Sequence, residues 1–205
     1  MFLTEEIMKT LSLRILEYAA TFPEGTPLSA RKLLNLGSRA AVDQALFRLA
    51  QQGQLERVGR GLYVRPVETR FGKRLPSVEK VVQGIASAKG ETVASHGAAA
   101  ANALGLTTQV PVRTLYLTSG QSRQFNLGEQ TIELRHAPRW QLVLAGHPAG
   151  EAVRALAWLG ESRAGEVLPE LQRRLPAQAF QEIASVSSCL PTWLAKEVSQ
   201  LVANG

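Results

Sequence analysis

Apolar and polar positions alternate at helical spacing in the first stretch of the chain. Ile7, Leu11, Ile15 and Tyr18 recur three or four residues apart, predicting an opening helix from Glu5 to about Thr21, with Glu5 and Glu6 at the positive end of its dipole. Pro23 to Pro27 supplies turn chemistry. Ser29 suits the N-cap of a short helix, Leu28 and Leu33 can staple it, and Gly37 offers a left-handed exit. Ser38 is placed to cap a second helix running to about Gln52, in which Val42, Ala45, Leu46 and Leu49 form one apolar stripe. Ala40, Gln44, Phe47 and Gln51 fall on its other face, and Gly53 ends it.

The period then changes from helical to short and extended. Gln54–Val58 and Leu62–Arg65 read as two strands around Gly59-Arg60-Gly61, although Leu55 and Val58 can both face inward only across a bulge. Helix, turn, helix and hairpin in that order predict a winged helix-turn-helix over residues 1–66. Residues 67–76, basic and broken by glycine and proline, read as a linker or as a further DNA-contacting arm. Residues 77–205 read as a second domain of α+β type. It begins with a helix at Ser77–Ala88 carrying Val78, Val81, Val82 and Ile85 on its stripe. An alanine-rich helix capped by Ser95 follows, suited to close packing. Next come four strand-like segments, Val112–Thr118, Arg123–Leu127, Thr131–Arg135 and Gln141–Leu144, expected to form a small antiparallel sheet. Four helices close the chain: Ala149–Leu159, Arg163–Leu175, Ala177–Ser187 and Thr192–Val202.

Charge singles out one region. Between Ser29 and Leu75 ten basic residues face three acids, a net +7, against +6 for all 205 residues. The remainder is therefore close to neutral, and the cationic surface coincides with the module able to dock on a duplex. In that docking mode the second helix enters the major groove. Small Ser38 and Ala40 permit close approach, Gln44 has the geometry to read adenine, and Arg39 to read guanine. Arg48, Arg57 and Arg60, with Arg31 and Lys32 of the same basic set, suit phosphates. An outward glutamine or arginine is also an ordinary solvated residue, and winged helices also dock on proteins, so the charge concentration is what favours DNA.

Several chemistries lack support in the sequence. One aspartate, Asp43, lies inside the reading helix, and no clustered carboxylates suit magnesium-dependent transfer. No nucleophile elbow, P-loop or metal-ligand spacing occurs, so neither an enzyme, a cofactor nor a metal site is expected. His96 is expected at a helix start, exposed or bonded to backbone, while His136 and His147 stand alone. Cys189 is expected as a buried structural thiol in a reducing compartment, and Trp158 and Trp193 as core fillers. No signal peptide is expected, and no apolar run reaches the roughly 18 residues of a membrane span. The cytoplasm is the expected location.

Two stretches, RLAQQGQLERVGRGLYVRP (Arg48–Pro66) and SHGAAAANALGLTTQVPVRTLYLTSGQSR (Ser95–Arg123), resemble the AbiEi-type antitoxins of type IV toxin–antitoxin and abortive-infection systems. The second, with its Gly105–Pro111 turn, carries most of the likeness, which fades beyond Arg139. The resemblance implies an amino-terminal winged helix that represses its own operon at inverted repeats of double-stranded DNA. It also implies a carboxy-terminal domain that counteracts a nucleotidyltransferase-like toxin. It places Ser38, Arg39, Gln44 and Arg48 on the reading helix and Arg57 with Arg60 on the wing. The alternative reading is a ligand-responsive regulator whose second domain encloses a small molecule.

Overall fold

The structure is a computed structural model and describes residues 10–203, so the expected helix start at Glu5, with Glu6 and Ile7, lies outside the described residues. It is α+β, and the described residues divide into two compact units, one comprising 10–90 together with 125–132, the other 91–124 and 133–203.

In the first unit, α1 (Leu11–Ala20) starts at Thr10, whose hydroxyl accepts the Leu13 amide. The predicted short helix after Ser29 is a single 3-10 turn, Ala30–Leu33, and Ser29 makes no side-chain cap bond. The reason is long-range. Leu28 is drawn into a β-bridge with Tyr63, the two exchanging backbone hydrogen bonds of 2.7 and 3.0 Å, which fixes the backbone entering the turn. Gly37, expected in a left-handed conformation, is not among the positive-φ glycines. α2 (Arg39–Gln51) follows its expectation closely. Ser38 Oγ accepts the Ala41 amide, Val42, Ala45, Leu46 and Leu49 are buried, and Gly53 leaves the helix at φ 65°.

Strands β1 (Glu56–Gly59) and β2 (Leu62–Val64) pair antiparallel, with a register irregularity between Arg57 and Gly59. That bulge lets Leu55 and Val58 both be buried, as their spacing required. Ile15, Leu28, Leu33, Val42, Leu46, Leu49, Leu55 and Tyr63 make one core. Full burial of each large aliphatic side chain contributes about 1.5–3 kcal/mol.

The expected linker is structured. Val67–Thr69 (β3) and Gly72–Arg74 (β4) form a second antiparallel hairpin, and Thr69 Oγ1 donates to the Gly72 carbonyl at 2.7 Å. α3 (Val78–Ser87), capped by Ser77, then groups with this first unit instead of opening the second. The contact that holds it is glycine on glycine: a Cβ on Gly84 would sit 2.4 Å from the Gly25 carbonyl oxygen. Glu24 adds an electrostatic clamp. Its carboxylate takes the Ser77 amide at 3.0 Å, Arg74 at 3.0 Å and Lys80 at 2.6 Å.

The second unit opens with a strand that the sequence reading did not foresee, β5 (Val93–Ser95), antiparallel to β6 (Thr114–Thr118). Three residues are too few to show a period. The sheet has the strand order β5-β6-β8-β7, in which β7 (Arg123–Leu127) and β8 (Gln130–His136) include the stretch 125–132 that groups with the first unit. The expected strand at Gln141–Leu144 is instead a 3-10 turn over Arg139–Leu142, and Leu144 has φ 50°, outside the strand region. Between β5 and β6 lies α4 (Gly97–Ala103), capped not by Ser95 but by His96, whose Nδ1 accepts the Ala98 amide at 3.2 Å. Ser95 is the last residue of β5, and its hydroxyl is used elsewhere.

The chain ends in α5 (Pro148–Leu159), α6 (Glu161–Arg174), α7 (Ala177–Val186) and α8 (Thr192–Ala203). Their buried faces form a second core with Ala100, Ala101 and Leu106, against which Trp158 and Trp193 pack half-buried. Cys189 is exposed, contrary to the expected buried thiol, because it sits on a 3-10 turn with no buried residue. No helix among the described residues is long and apolar enough to cross a membrane.

Candidate nucleic-acid interface

The buried stripe of α2 fixes what its other side shows. With Val42, Ala45, Leu46 and Leu49 turned inward, Ser38, Arg39, Ala40, Gln44, Phe47 and Arg48 are all exposed. Gln44 and Arg48 are one turn apart and share a face. Neither has a side-chain partner among the described residues, so both remain available to an incoming group. Phe47, on the same exposed side of the helix, is a large apolar side chain 51% exposed.

The other expected contacts are partly committed within the chain. Arg39 Nε donates to Asp43 Oδ2 at 3.0 Å, an exposed pair one turn long. Such pairs are worth about 0–1 kcal/mol, so a stronger acceptor displaces Asp43 at little cost. Ser38 Oγ is occupied as a cap acceptor, which leaves its hydroxyl proton free to donate. In the first hairpin Arg57 Nε donates back to the Gly59 carbonyl at 3.3 Å, folding that side chain along the strand. Arg60 is exposed at the tip, next to Gly61 at φ 65°. Arg31 and Lys32 are exposed on the 3-10 turn, where Lys32 Nζ reaches the Pro27 carbonyl at 3.3 Å.

The second hairpin carries what the sequence reading treated mainly as linker. Phe71 stands at its tip, 86% exposed, with the Arg70 guanidinium 4.6 Å from the ring centroid. The turn thus presents an exposed aromatic face with a cation beside it. The signal was present in Arg70-Phe71-Gly72, but a lone phenylalanine carries no period.

Part of the formal charge is consumed internally. Arg74 and Lys80 are tied to Glu24, whose carboxyl is held at about 2, first by Arg74, then by Lys80 and the Ser77 amide. Lys73 lies 3.6 Å from Glu68. Of the ten basic residues between Ser29 and Leu75, those with no acidic partner among the described residues are Arg31, Lys32, Arg48, Arg57, Arg60, Arg65 and Arg70, on α2, its preceding turn and the two hairpins. Among the described residues no group of three or more His, Cys, Asp or Glu is placed to hold a metal ion.

No curated protein matches this sequence. Among solved structures, the fold is similar to the crystal structure of the RV2827C protein from Mycobacterium tuberculosis. The TM-score is 0.53 at 14% identity, over 95% of this chain and 77% of that one, a likeness that bears on the fold alone. Residues 14–178 match DUF6088, a family of unknown function, and the chain belongs to that family.

Proposed function

We propose that this protein is a DNA-binding transcriptional repressor whose first unit docks as a winged helix-turn-helix, with α2 in the major groove and the β1–β2 hairpin as the wing. The observation that carries the reading is the outer face of α2. A helix with a fully buried inner stripe presents Gln44 and Arg48 unpartnered, and the nearby turn and hairpins contribute the unpaired arginines. Gln44 supplies paired hydrogen bonds for adenine, and Arg39, once released from Asp43, for guanine. Arg31, Lys32, Arg48, Arg57 and Arg60 act on phosphates and set affinity without reading sequence.

In this reading the repressor is also the antitoxin of a type IV, AbiEi-like system. It binds an inverted repeat upstream of its own operon, and its second unit opposes a nucleotidyltransferase-like toxin in the cytoplasm without catalysis of its own. The support is the resemblance across Ser95–Arg123, which falls on β5, α4 and β6.

The test is a salt titration of the full chain on the duplex upstream of its own gene. With about four phosphates neutralised, log K falls against log salt with a slope near −3.6. Binding that is absent at low salt, or that shows no salt dependence, overturns the DNA reading. Growth rescue on co-expression with the product of an adjoining nucleotidyltransferase-like gene tests the antitoxin reading separately.

A further inference from the structure

The second unit holds a buried arginine that the DNA contacts do not use. Arg154, on α5, is 1% exposed. Nη2 donates to Glu151 Oε1 at 2.9 Å and Nη1 to the Val143 carbonyl at 3.2 Å. Glu151 Oε2 in turn accepts the Ser95 hydroxyl at 2.5 Å, which is where the expected cap residue is spent. The Nε–H has no acceptor among the described residues. A buried donor left bare costs about 1–3 kcal/mol, so this arrangement is incomplete as it stands.

Arg154 forms part of the wall of a half-open cavity of about 270 Å³, together with His96, Gln141, Ala157 and Trp158. At about 30 Å³ per water-sized atom, that is room for about nine non-hydrogen atoms. An acceptor for Nε–H can come from this space. The surrounding chemistry narrows what carries it. Arg154 is already neutralised by Glu151. Burial, with a smaller push from the Arg135 charge, lowers the His96 pKa, so its ring is neutral at pH 7. His96 Nδ1 accepts the Ala98 amide, which puts the ring proton on Nε2 as a second donor. Arg135, the other cation that acts on His96, is paired with Glu133 at 2.9 Å, so a carboxylate or phosphate would bring a net negative charge into a half-buried place whose cations already have acidic partners. An uncharged planar ligand bearing a carbonyl meets no such cost. Trp158 and Gln141 are both in the cavity lining, the one an aromatic side chain for such a ligand to pack on and the other an amide able to donate and to accept.

We propose that the cavity beside Arg154 binds a nucleobase, whose ring carbonyl accepts the Nε–H of Arg154 and whose amide edge pairs with Gln141. The site lies wholly within the second unit and stands independently of whether the first unit binds DNA.

Calorimetric titration of the full chain with uracil, thymine and cytosine tests this, with adenine as the base that lacks a ring carbonyl and is expected not to bind, uridine monophosphate and a short single-stranded oligonucleotide as further arms and benzoate as the planar acid. One base is expected to bind saturably at one per chain, in the millimolar range or tighter. Whether the monophosphate or the oligonucleotide keeps that affinity identifies the source of the base. Replacing Arg154 strands Glu151 and threatens folding, so the cavity-filling Ala157→Leu carries the test, with Gln141→Leu beside it. Each is expected to weaken binding by about tenfold or more while the thermal midpoint stays close to wild type. No saturable binding of any base to the folded protein, affinity unchanged in both variants, or benzoate binding more tightly than every base would each overturn the proposal.

Discussion

Arg39 Nε donates to Asp43 Oδ2 at 3.0 Å, so the residue best placed on α2 to meet guanine is held, in the free protein, by the only aspartate of the chain. The pair is exposed on both sides and cheap to break. Under the proposed DNA-binding reading, Asp43 tempers the interface: it takes up a cation of the reading face and adds an anion to it. Asp43→Asn is expected to raise affinity for duplex DNA by about three- to tenfold at low salt, with a steeper salt dependence. Fluorescence anisotropy at two salt concentrations reads this directly, and unchanged affinity would mean that Arg39 does not approach the DNA.

Gln44 and Arg60 separate reading from gripping. Gln44→Ala is expected to cost about 1–3 kcal/mol on the preferred duplex and little on a random one. Arg60→Ala is expected to weaken both alike and to reduce the magnitude of the salt slope by about 0.9. Competition binding with operator and random duplexes distinguishes the two; equal losses on both for Gln44→Ala would remove its reading role.

Phe71 contributes almost no burial, being 86% exposed at the tip of the β3–β4 hairpin. Phe71→Ala is thus expected to leave folding stability within about 0.5 kcal/mol of wild type. If the ring stacks on or wedges into the duplex, the same substitution lowers affinity and reduces the bend. Thermal unfolding and a gel-phasing assay together check both halves of that expectation.

Glu24 makes the first unit sensitive to acid. Its carboxyl is held at about 2 against an ordinary 4.5, chiefly by Arg74 and Lys80. A depressed folded-state pKa stabilises the fold above the unfolded value and loses that contribution as pH falls. The stabilisation is therefore complete above about pH 4.5 and is lost between there and about pH 2. Glu24→Gln is expected to lower stability by about 1 kcal/mol at pH 7, with the difference from wild type vanishing near pH 2. Paired denaturant titrations across that range measure it.

Gly97 packs where no side chain fits. A Cβ there would lie 2.5 Å from both the Arg154 carbonyl oxygen and the Trp158 Cβ. Backbone and a side-chain root cannot swing aside as a flexible tip can, so Gly97→Ala is expected to force α4 away from α5 at about 1–3 kcal/mol. A drop in thermal midpoint checks this. An alanine at Gly53, where a Cβ meets nothing, tests instead the cost of φ 65° without a clash.

The parts of this molecule that were legible from residue order are those decided locally. The inner stripe of α2, the Ser38 cap and the four closing helices follow from spacing and residue type alone. Even the bulge between Arg57 and Gly59 was implied, because Leu55 and Val58 cannot otherwise share a side. The misplaced elements all depend on a distant partner. Ser29 lost its cap because Leu28 pairs with Tyr63. Gln141–Leu144 read as a strand, but the carbonyls of Gln141 and Val143 accept bonds from Arg154 of α5. The candidate interface was legible as residue types on a helix face. Its internal pairings were not, since Arg74 and Lys80 meet Glu24 across 50 and 56 positions.

What residue order determined here is where apolar surface repeats and where positive charge collects: helix faces, caps and a basic first third. These are properties of neighbours within a turn or two, set by backbone geometry and side-chain size. The tertiary structure alone decided which cations stay unpaired, which stretch joins which unit, and that one arginine is enclosed with its Nε–H bare. Charge pairing and burial depend on separation in space, which the order of residues does not contain until the chain has closed on itself.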